Sequence, residues 1–408
     1  MKCFKCKGRG FCGRTFCPIY AKAESMFKAV DLVDSEDFFA NSPPSVFVGR
    51  IGYPDVNVGV LSPGMFKENV SQYDDPQYWF EHDTSIRDII GFRSSLINSR
   101  FKTKVNNPSG KFVEISQDIA MASKPAEIEV ELKYKPKARV NLNSITMPMG
   151  PTVDLEKLRI TSNPNTDTRV EKVVYDFDMK AVEGLNTLYK KGFNETILSK
   201  LLSIGVFGVK KNRRLVPTRW SLTSVDSIIG NKLVSEIKKN NVADYSVYFD
   251  SYFGNYFLIL FFPEIYSYEL FEMYMPNAMW NPEKKLNYTT DFEPYNGRKS
   301  YAEECGGGFY ACRLAITEKL KQIKRQASIL VLRFITDEYT CPLGVFVVRQ
   351  ATRKSLMGKP QSFESKELML AYVKSFVKKK FGQDIGSILD QSILLKNIKE
   401  QSKLTKFL

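Results

Sequence analysis

The apolar and polar positions of the chain alternate most strictly in the segment 128–135. Ile128, Val130, Leu132 and Tyr134 fall on one face of an extended chain, and the residues between them are Glu or Lys. A period of two residues is typical of a strand with one buried and one solvent-facing side. The segment therefore predicts a half-buried β-strand.

Helical periodicity, with apolar residues three and four positions apart, recurs elsewhere along the chain. The predicted helices are 21–30, 195–204, 224–239, 309–325, 364–381 and 385–399. Further predicted strands, which are apolar runs bounded by turn residues, are 46–49, 56–61, 245–249, 256–262, 329–334 and 345–348. Because the strands occur in groups and do not alternate regularly with helices, this order predicts an α+β fold with antiparallel strands and several helices.

This pattern divides the chain into four parts. The polar, turn-rich segment 163–168 is the predicted boundary within the folded body. The predicted parts are a small N-terminal module (1–20), a strand-rich first part of the body (21–165), an α+β second part (166–400) and a C-terminal tail (401–408).

Composition adds an expectation about partners. The 408 residues include 59 Lys and Arg against 45 Asp and Glu, a formal net charge of +14. A strongly basic protein favours an anionic partner, and nucleic acid is the first candidate. The excess is concentrated at both ends: residues 1–22 carry six cations and no carboxylate, and residues 366–408 carry nine Lys against four acidic residues.

Hydropathy bears on location. The first residues lack the apolar run of a secretory signal, and the longest apolar run, 256–262, has seven residues where a membrane span needs about 20. We therefore expect a cytoplasmic protein without a membrane partner.

Four of the seven cysteines, Cys3, Cys6, Cys12 and Cys17, lie within fifteen residues. Their spacing, C-x2-C-x5-C-x4-C, predicts one zinc ion in a closed shell of four thiolates, which makes the metal structural and not catalytic. An iron–sulfur cluster is the alternative metal group with the same ligands. The surrounding cations either contact DNA or are simply solvated on a module that the metal holds together.

The chain ends in eight residues that fit the pattern Q-x-x-L-x-x-F-L. This pattern is similar to the PIP box that the sliding clamp PCNA binds, with Leu in place of a second aromatic residue. In a 3₁₀ turn, Leu404 and Phe407 share one face and can fill an apolar pocket. Gln401 and Leu408 take the remaining positions of the motif. The alternative is a frayed end of the predicted helix 385–399.

The cysteine quartet, the terminal octapeptide and the central run VPTRWSLTSVD at 216–226 together resemble the archaeal DNA repair protein NreA family. The resemblance extends over the whole chain. It implies a repair factor that works with the sliding clamp and carries a C4-type zinc finger. It implies no assigned reaction, so no catalytic residue follows from it.

Two residues of the central run are candidates for nucleic-acid binding. Trp220 can stack on a base, and Arg219 can clamp a phosphate or a carboxylate. Both precede the predicted helix 224–239, whose first turn holds Asp226. The alternative is that Trp220 belongs to the core and that Arg219 pairs with Asp226 or Glu303.

A glycine-rich turn before another predicted helix offers unblocked backbone N–H groups to a phosphate. The candidate residues at this turn are Glu303, Gly306, Gly307, Gly308 and Arg313. The turn lacks the Gly-Lys-Ser/Thr of a Walker A loop, and the alternative is a turn that needs a positive φ.

The residues for catalysis are few. His82 is the single histidine, and we expect it to be a surface or capping residue. Asp118, Glu131 and Lys133 fit a short D…E-x-K nuclease pattern, which solvent exposure of the strand explains equally well. Whether the protein is an enzyme therefore stays open.

Taken together, the sequence predicts a DNA repair factor that is recruited to DNA through PCNA and has a structural zinc finger. One alternative is a nuclease or nucleotide-hydrolysing enzyme that uses Glu303, Asp226 and Arg313. A second alternative is an RNA-binding zinc-ribbon protein.

Overall fold

The computed structural model describes residues 6, 8–11, 16–31, 33, 35–138 and 147–400. The chain forms two compact units, the first ending at Ile229 and the second beginning at Gly230. The division falls inside one long helix, Thr218–Ile237. The segment 163–168 lies within the first unit.

The first unit contains a six-stranded sheet in the order β1-β5-β6-β4-β3-β2. Its strands are β1 (Asp37–Ser42), β2 (Val46–Val48), β3 (Asp55–Ser62), β4 (Ile97–Lys104), β5 (Ala126–Leu132) and β6 (Thr152–Ile160). Neighbouring strands are antiparallel except β4 and β6, which are parallel. The predicted antiparallel pairing of the strands at 46–49 and 56–61 is confirmed, because Val46 lies opposite Val60.

Alternation along these strands produces the buried face. Ile128, Val130 and Leu132 of β5 are buried as predicted, whereas Tyr134 lies beyond the end of the strand and is exposed. The helices of this part of the chain are α1 (Pro18–Asp31), α2 (Pro76–Glu81), α3 (Ile86–Ser95), α4 (Lys111–Met121), α5 (Thr168–Val174), α6 (Ala181–Lys190), α7 (Glu195–Ser203) and α8 (Thr218–Ile237).

The second unit contains a six-stranded sheet in the order β10-β9-β11-β8-β7-β12. Its strands are β7 (Ser246–Tyr252), β8 (Asn255–Phe262), β9 (Ser267–Tyr274), β10 (Asn287–Glu293), β11 (Ser328–Ile335) and β12 (Gln361–Ser362). Only β9 and β11 pair in parallel among these neighbours. The central strands β8 and β11 are buried along almost their whole length, which explains their continuous apolar runs.

Helices of the second unit pack on both faces of its sheet. They are α9 (Gly307–Gln322), α10 (Val345–Met357), α11 (Lys366–Phe381), α12 (Gly386–Leu389) and α13 (Ile393–Glu400). Helices α11 to α13 share one apolar cluster with β8, β9 and β11. On the opposite face, Phe309 of α9 packs on Tyr268 of β9 at 4.7 Å between ring centroids.

The predicted α+β class is confirmed by these two mixed units. Three element predictions need correction. The run 345–348 forms the first turn of helix α10. A short buried apolar run fits either a strand or a helix, so the sequence pattern did not distinguish these two elements. The predicted helix 385–399 is two helices separated by residues 390–392. The helix predicted from residue 224 begins at Thr218.

None of the helices within the described ranges is long and apolar enough to cross a membrane. Helix α8 is the longest of them, and it carries charged and polar residues along its length.

Candidate nucleic-acid interface

The loop that leads into helix α8 carries a run of cations, Lys210-Lys211-Asn212-Arg213-Arg214, which the sequence analysis did not single out. It begins with a 3₁₀ turn, Lys210–Asn212. Runs rich in Lys and Arg are common in nucleic-acid-binding surfaces. Lys210, Lys211 and Arg214 are exposed, and none of them forms an ion pair with a carboxylate of the described residues.

Arg213 turns inward and holds this loop in place. Its Nε donates to the carbonyl of Gly208 at 2.9 Å, and its guanidinium lies 5.1 Å from the ring centroid of Phe177. The same guanidinium donates to the carbonyl of Val174. Burial lowers the pKa of Arg213 from its usual value. Arg213 is therefore a structural member of the run, and Lys210 also contacts Phe177, with its Nζ 4.8 Å from the ring centroid.

Trp220 lies in the first turn of α8 and packs against Tyr53, with 5.1 Å between ring centroids and 56° between ring planes. Trp220 is 43% exposed and Tyr53 is 49% exposed, so Trp220 is not a core residue. We call this pair the Tyr53–Trp220 platform. Arg219, next to Trp220, and Arg50, in the same turn as Tyr53, are both exposed.

The first turn of α8 is tied to the sheet through Thr218. The Thr218 hydroxyl accepts the N–H of Val48 at 2.9 Å and lies 3.1 Å from the hydroxyl of Ser203. Ser203 in turn exchanges hydrogen bonds with Val216, since its hydroxyl donates to the Val216 carbonyl and its own carbonyl accepts the Val216 N–H. These bonds fix the start of α8, and with it Trp220, against strand β2.

Backbone hydrogen bonds also join the platform to the cationic loop. Val105 N–H donates to the Pro54 carbonyl at 3.0 Å, and Leu215 N–H donates to the Val105 carbonyl at 2.8 Å. Lys104 and Arg214 are the residues directly before Val105 and Leu215, and both are exposed. Four exposed cations, Arg50, Lys104, Arg214 and Arg219, therefore lie within a few residues of the platform, either along the chain or across these hydrogen bonds.

The other predicted site residues have different surroundings. Asp226 is fully buried two turns into α8, and is not in its first turn. Arg313 is buried on α9, where its Nη1 donates to Glu293 Oε2 at 2.5 Å. Glu303 is exposed in the turn before α9. Arg313 thus serves a buried ion pair of the second unit.

At the glycine-rich turn, the carboxylate of Glu272 lies beside the start of α9. Gly306 adopts φ 56°, ψ −138°, a conformation that favours glycine, and Gly307 begins the helix. A Cβ on Gly308 would lie 2.7 Å from Glu272 Oε1, and Glu272 is ion-paired with the buried Arg333. This geometry favours a structural turn over a phosphate cradle, because a negative charge already lies beside the helix start.

Two of the four predicted zinc ligands, Cys3 and Cys12, lie outside the described residues. Cys6 is buried, and its sulfur accepts the N–H of Phe11 at 3.3 Å, while Cys17 directly precedes α1 and is partly buried. Backbone N–H groups that donate to sulfur suit a thiolate ligand. Among the described residues no three metal-binding side chains come together, so the zinc site stays a prediction.

The remaining cysteines, Cys305, Cys312 and Cys341, are buried thiols outside any disulfide bond among the described residues. Burial raises the pKa of Cys305 well above its usual value and raises the pKa of Cys312 to about 11. Both are therefore thiols rather than reactive thiolates at neutral pH. His82 caps the end of α2, where its ring stacks on the ring of Tyr78 with 3.9 Å between ring centroids.

The residues of the D…E-x-K nuclease pattern lie on a helix and on the exposed face of a sheet. Asp118 lies on helix α4, and burial together with Glu114 raises its pKa. Glu131 of β5 accepts from Lys157 at 2.7 Å on the exposed face of the sheet. The four clamp-binding residues predicted at 401–408 lie outside the described residues.

Comparison with known proteins identifies the chain. A family model described as "Archaeal Nre, N-terminal" matches residues 11–281, and one described as "Archaeal Nre, C-terminal" matches residues 293–407. The chain belongs to the archaeal Nre family. The family resemblance predicted from the sequence is therefore confirmed.

Curated relatives within the Nre family match most of the chain. "DNA repair protein NreB" of Archaeoglobus fulgidus is 35% identical over 403 residues, which is 98% of this chain and 99% of the relative. "DNA repair protein NreA" of the same organism is 36% identical over 90% of this chain and 91% of the relative. The Haloferax volcanii "DNA repair protein NreA" is 32% identical over 82% of each. No solved structure matches.

Proposed function

We propose that this Nre protein is a DNA repair factor that binds DNA through the Tyr53–Trp220 platform and the adjoining cationic loop. The observation that carries the proposal is a braced, half-exposed aromatic pair among four exposed cations. The relatives are named as DNA repair proteins, which supports the same role.

The cations supply the sequence-independent part of DNA binding. Each Lys or Arg that contacts a phosphate releases condensed counterions, so the affinity falls as salt rises. Lys210, Lys211, Arg214 and Arg219 are exposed on one continuous segment. Because they have no described carboxylate partner, binding a phosphate breaks no existing ion pair.

Recruitment by the sliding clamp is the second part of the proposal. The predicted clamp ligand, 401–408, directly follows helix α13. That helix is fixed to strand β9, because Glu269 accepts the N–H groups of Ile393 at 3.0 Å and Leu394 at 3.1 Å. Eight residues span at most about 28 Å. A clamp bound to this tail would raise the concentration of the protein beside DNA without any new DNA contact.

A structural zinc ion at Cys3, Cys6, Cys12 and Cys17 is the third part. The donor set fits a closed tetrahedral shell, which would stabilise the module without supplying a reactive position. Metal analysis of the purified protein should give about one zinc per chain. An iron chromophore, or no bound metal, would contradict the zinc assignment.

Charge reversal on the loop tests the DNA-binding part directly. We expect Lys211→Glu and Arg214→Glu each to weaken binding of a labelled oligonucleotide several-fold and to reduce the slope of log affinity against log salt by about one. Fluorescence anisotropy over a salt series measures both quantities. Lys124→Glu is the charge-matched control, because Lys124 lies outside the loop, is exposed and forms no ion pair with a described residue.

If both loop variants bind as tightly as Lys124→Glu, the loop is not the DNA interface. Recovery of ribosomes in place of DNA and the clamp by affinity purification would instead favour the RNA-binding alternative. For the hydrolase alternative, two of the three residues are in buried positions: Asp226 lies within α8, and Arg313 forms the ion pair with Glu293.

A further inference from the structure

We infer that the Tyr53–Trp220 platform stacks on unpaired DNA bases, so that the preferred DNA form is single-stranded. This inference rests on the proposed DNA-binding function and specifies the ligand of the same surface. Two aromatic side chains that expose 43% and 49% of their surface, beside four cations, provide both base-stacking and phosphate-binding groups.

The geometry of the pair leaves ring surface available. The ring planes are tilted by 56°, so the two rings are not stacked face to face. Ile51, two residues before Tyr53 in the same turn, is 84% exposed and adds an apolar side chain that lacks a protein neighbour over most of its surface. Aromatic rings exposed in this way gain stacking free energy from any nucleobase, because every base has a π-face.

A duplex would not gain from the aromatic rings of this surface. The base faces of double-stranded DNA are covered by neighbouring bases, so a duplex presents only phosphates, sugars and groove edges. The cations can bind the phosphates of either form, whereas Tyr53 and Trp220 gain only from bases that are unstacked. Preference for a single strand is therefore assigned to the aromatic pair, and overall affinity to the cations.

The backbone that carries the platform is held in place by hydrogen bonds before any ligand binds. Thr218 fixes the first turn of α8 to strand β2, and the hydrogen bond from Val105 to Pro54 fixes the turn that carries Tyr53. A side chain already held in place loses little conformational entropy on binding. An exposed aromatic pair with this much backbone support is suited to a ligand that supplies flat apolar faces.

Intrinsic fluorescence reports on the platform selectively. Trp79 is fully buried, and Trp280 is partly buried against Tyr339, which leaves Trp220 as the most exposed of the three tryptophans. Stacking of a base on Trp220 should quench its emission. We expect a thymine oligonucleotide of about 12 nucleotides, within the range of single-strand site sizes, to quench the full-length protein on binding.

Three ligands and two variants separate stacking from charge. The ligands are the thymine 12-mer, an abasic sugar–phosphate strand of equal length and charge, and a 12-base-pair duplex. We expect Trp220→Leu to weaken binding of the 12-mer about tenfold and to leave binding of the abasic strand unchanged. Trp220→Phe should keep the affinity for the 12-mer within about twofold, because Phe retains a stacking face, while the quench is lost.

Circular dichroism and thermal unfolding establish that both variants are folded. If Trp220→Leu fails to fold, Trp220→Phe and the unmodified protein with the abasic strand still decide the question. The inference is overturned if the unmodified protein binds the abasic strand or the duplex as tightly as the 12-mer. Tighter binding of an RNA strand of the same length and sequence type overturns the assignment to DNA.

The experiments distinguish failure of the stacking inference from failure of the proposed DNA-binding function. If Lys211→Glu and Arg214→Glu weaken binding but the abasic strand binds as well as the 12-mer, the loop binds DNA and the stacking inference is wrong. If neither charge reversal has an effect, the DNA-binding function itself is wrong at this surface.

Discussion

At the scale of single residues, Thr218 connects the start of helix α8 to two other elements. Its one hydroxyl meets strand β2 through Val48 N–H and helix α7 through Ser203. The residue after it, Arg219, and Trp220 next to that are the exposed groups of the platform. Within the run 216–226, Thr218 therefore supports the exposed surface, and Arg219 and Trp220 form it.

Removing this hydroxyl should destabilise the first unit. Thr218→Val preserves the branched shape but leaves the Val48 N–H without its acceptor, and an unsatisfied group of this kind costs about 1–3 kcal/mol. Urea unfolding of the variant measures the loss. Thr218→Ser retains the hydroxyl and should lose less than half as much. Equal stability of Thr218→Val and the unmodified protein would show that this bond does not hold the helix start.

The buried pair Arg313 and Glu293 allows a second expectation at this scale. Both side chains are almost fully buried, and Tyr266 also donates to Glu293. Arg313→Met would leave Glu293 without its cation, at a cost of about 3–5 kcal/mol. The double variant Arg313→Met/Glu293→Gln removes the uncompensated charge and should be more stable than the single variant. Chemical denaturation decides, and the opposite order would contradict a structural role for the pair.

At the scale of elements, Asp74 connects several parts of the first unit. It ends the 3₁₀ turn Val70–Asp74 and accepts from Arg93 of helix α3, from Ser45 before β2 and from Lys200 of α7. Burial by itself raises the pKa of Asp74, but the two cations and the Ser45 hydroxyl outweigh it, so the pKa is lowered overall. The ionised carboxylate is therefore the form that the folded protein stabilises.

The sign of the pH dependence follows from that lowered pKa. The stabilising contribution of Asp74 is present above the unfolded-state pKa, near 4 for an aspartate, and is lost as pH falls through the folded-state value. We expect the urea midpoint to decrease between about pH 5 and pH 3, and Asp74→Asn to flatten part of that decrease. Lys200→Met, which removes one of the two cations, should bring the folded-state pKa of Asp74 closer to its unfolded-state value and so make the decrease smaller. A variant profile parallel to that of the unmodified protein would exclude Asp74 as the titrating group.

At the scale of the whole molecule, the proposal assigns DNA contact and clamp contact to different parts of the chain. The platform and loop belong to the first unit, and the tail follows the last helix of the second. Deleting residues 401–408 should abolish clamp binding measured by calorimetry and leave binding of the free 12-mer within about twofold, because no platform residue is removed. A DNA complex loaded with the clamp should be weakened strongly by the same deletion.

The substitution pair Leu404→Ala/Phe407→Ala is the matched test with the chain length unchanged. It should reproduce the deletion, since a few buried anchors carry most of such an interaction. Undiminished clamp affinity in both variants would refute the motif. Loss of DNA binding in the absence of the clamp would show instead that the tail takes part in DNA contact.

The sequence by itself determined the features that depend on neighbours along the chain. Alternation identified β5, continuous apolar runs identified β8 and β11, and helical periodicity identified α9 and α11. The family motif at 216–226 also pointed to Arg219 and Trp220. These signals are local, because the period of apolar positions follows from the backbone geometry of a single helix or strand.

Only the tertiary structure decided how such elements are used. Pairing of Trp220 with Tyr53, 167 positions earlier, and the inward turn of Arg213 depend on contacts between segments distant in the chain. The run 345–348 became a helix because burial on all sides suits either element and packing made the choice. Local periodicity determines which face of a helix or strand is apolar. Tertiary packing determines what covers that face, and it is packing that leaves Tyr53 and Trp220 together and exposed.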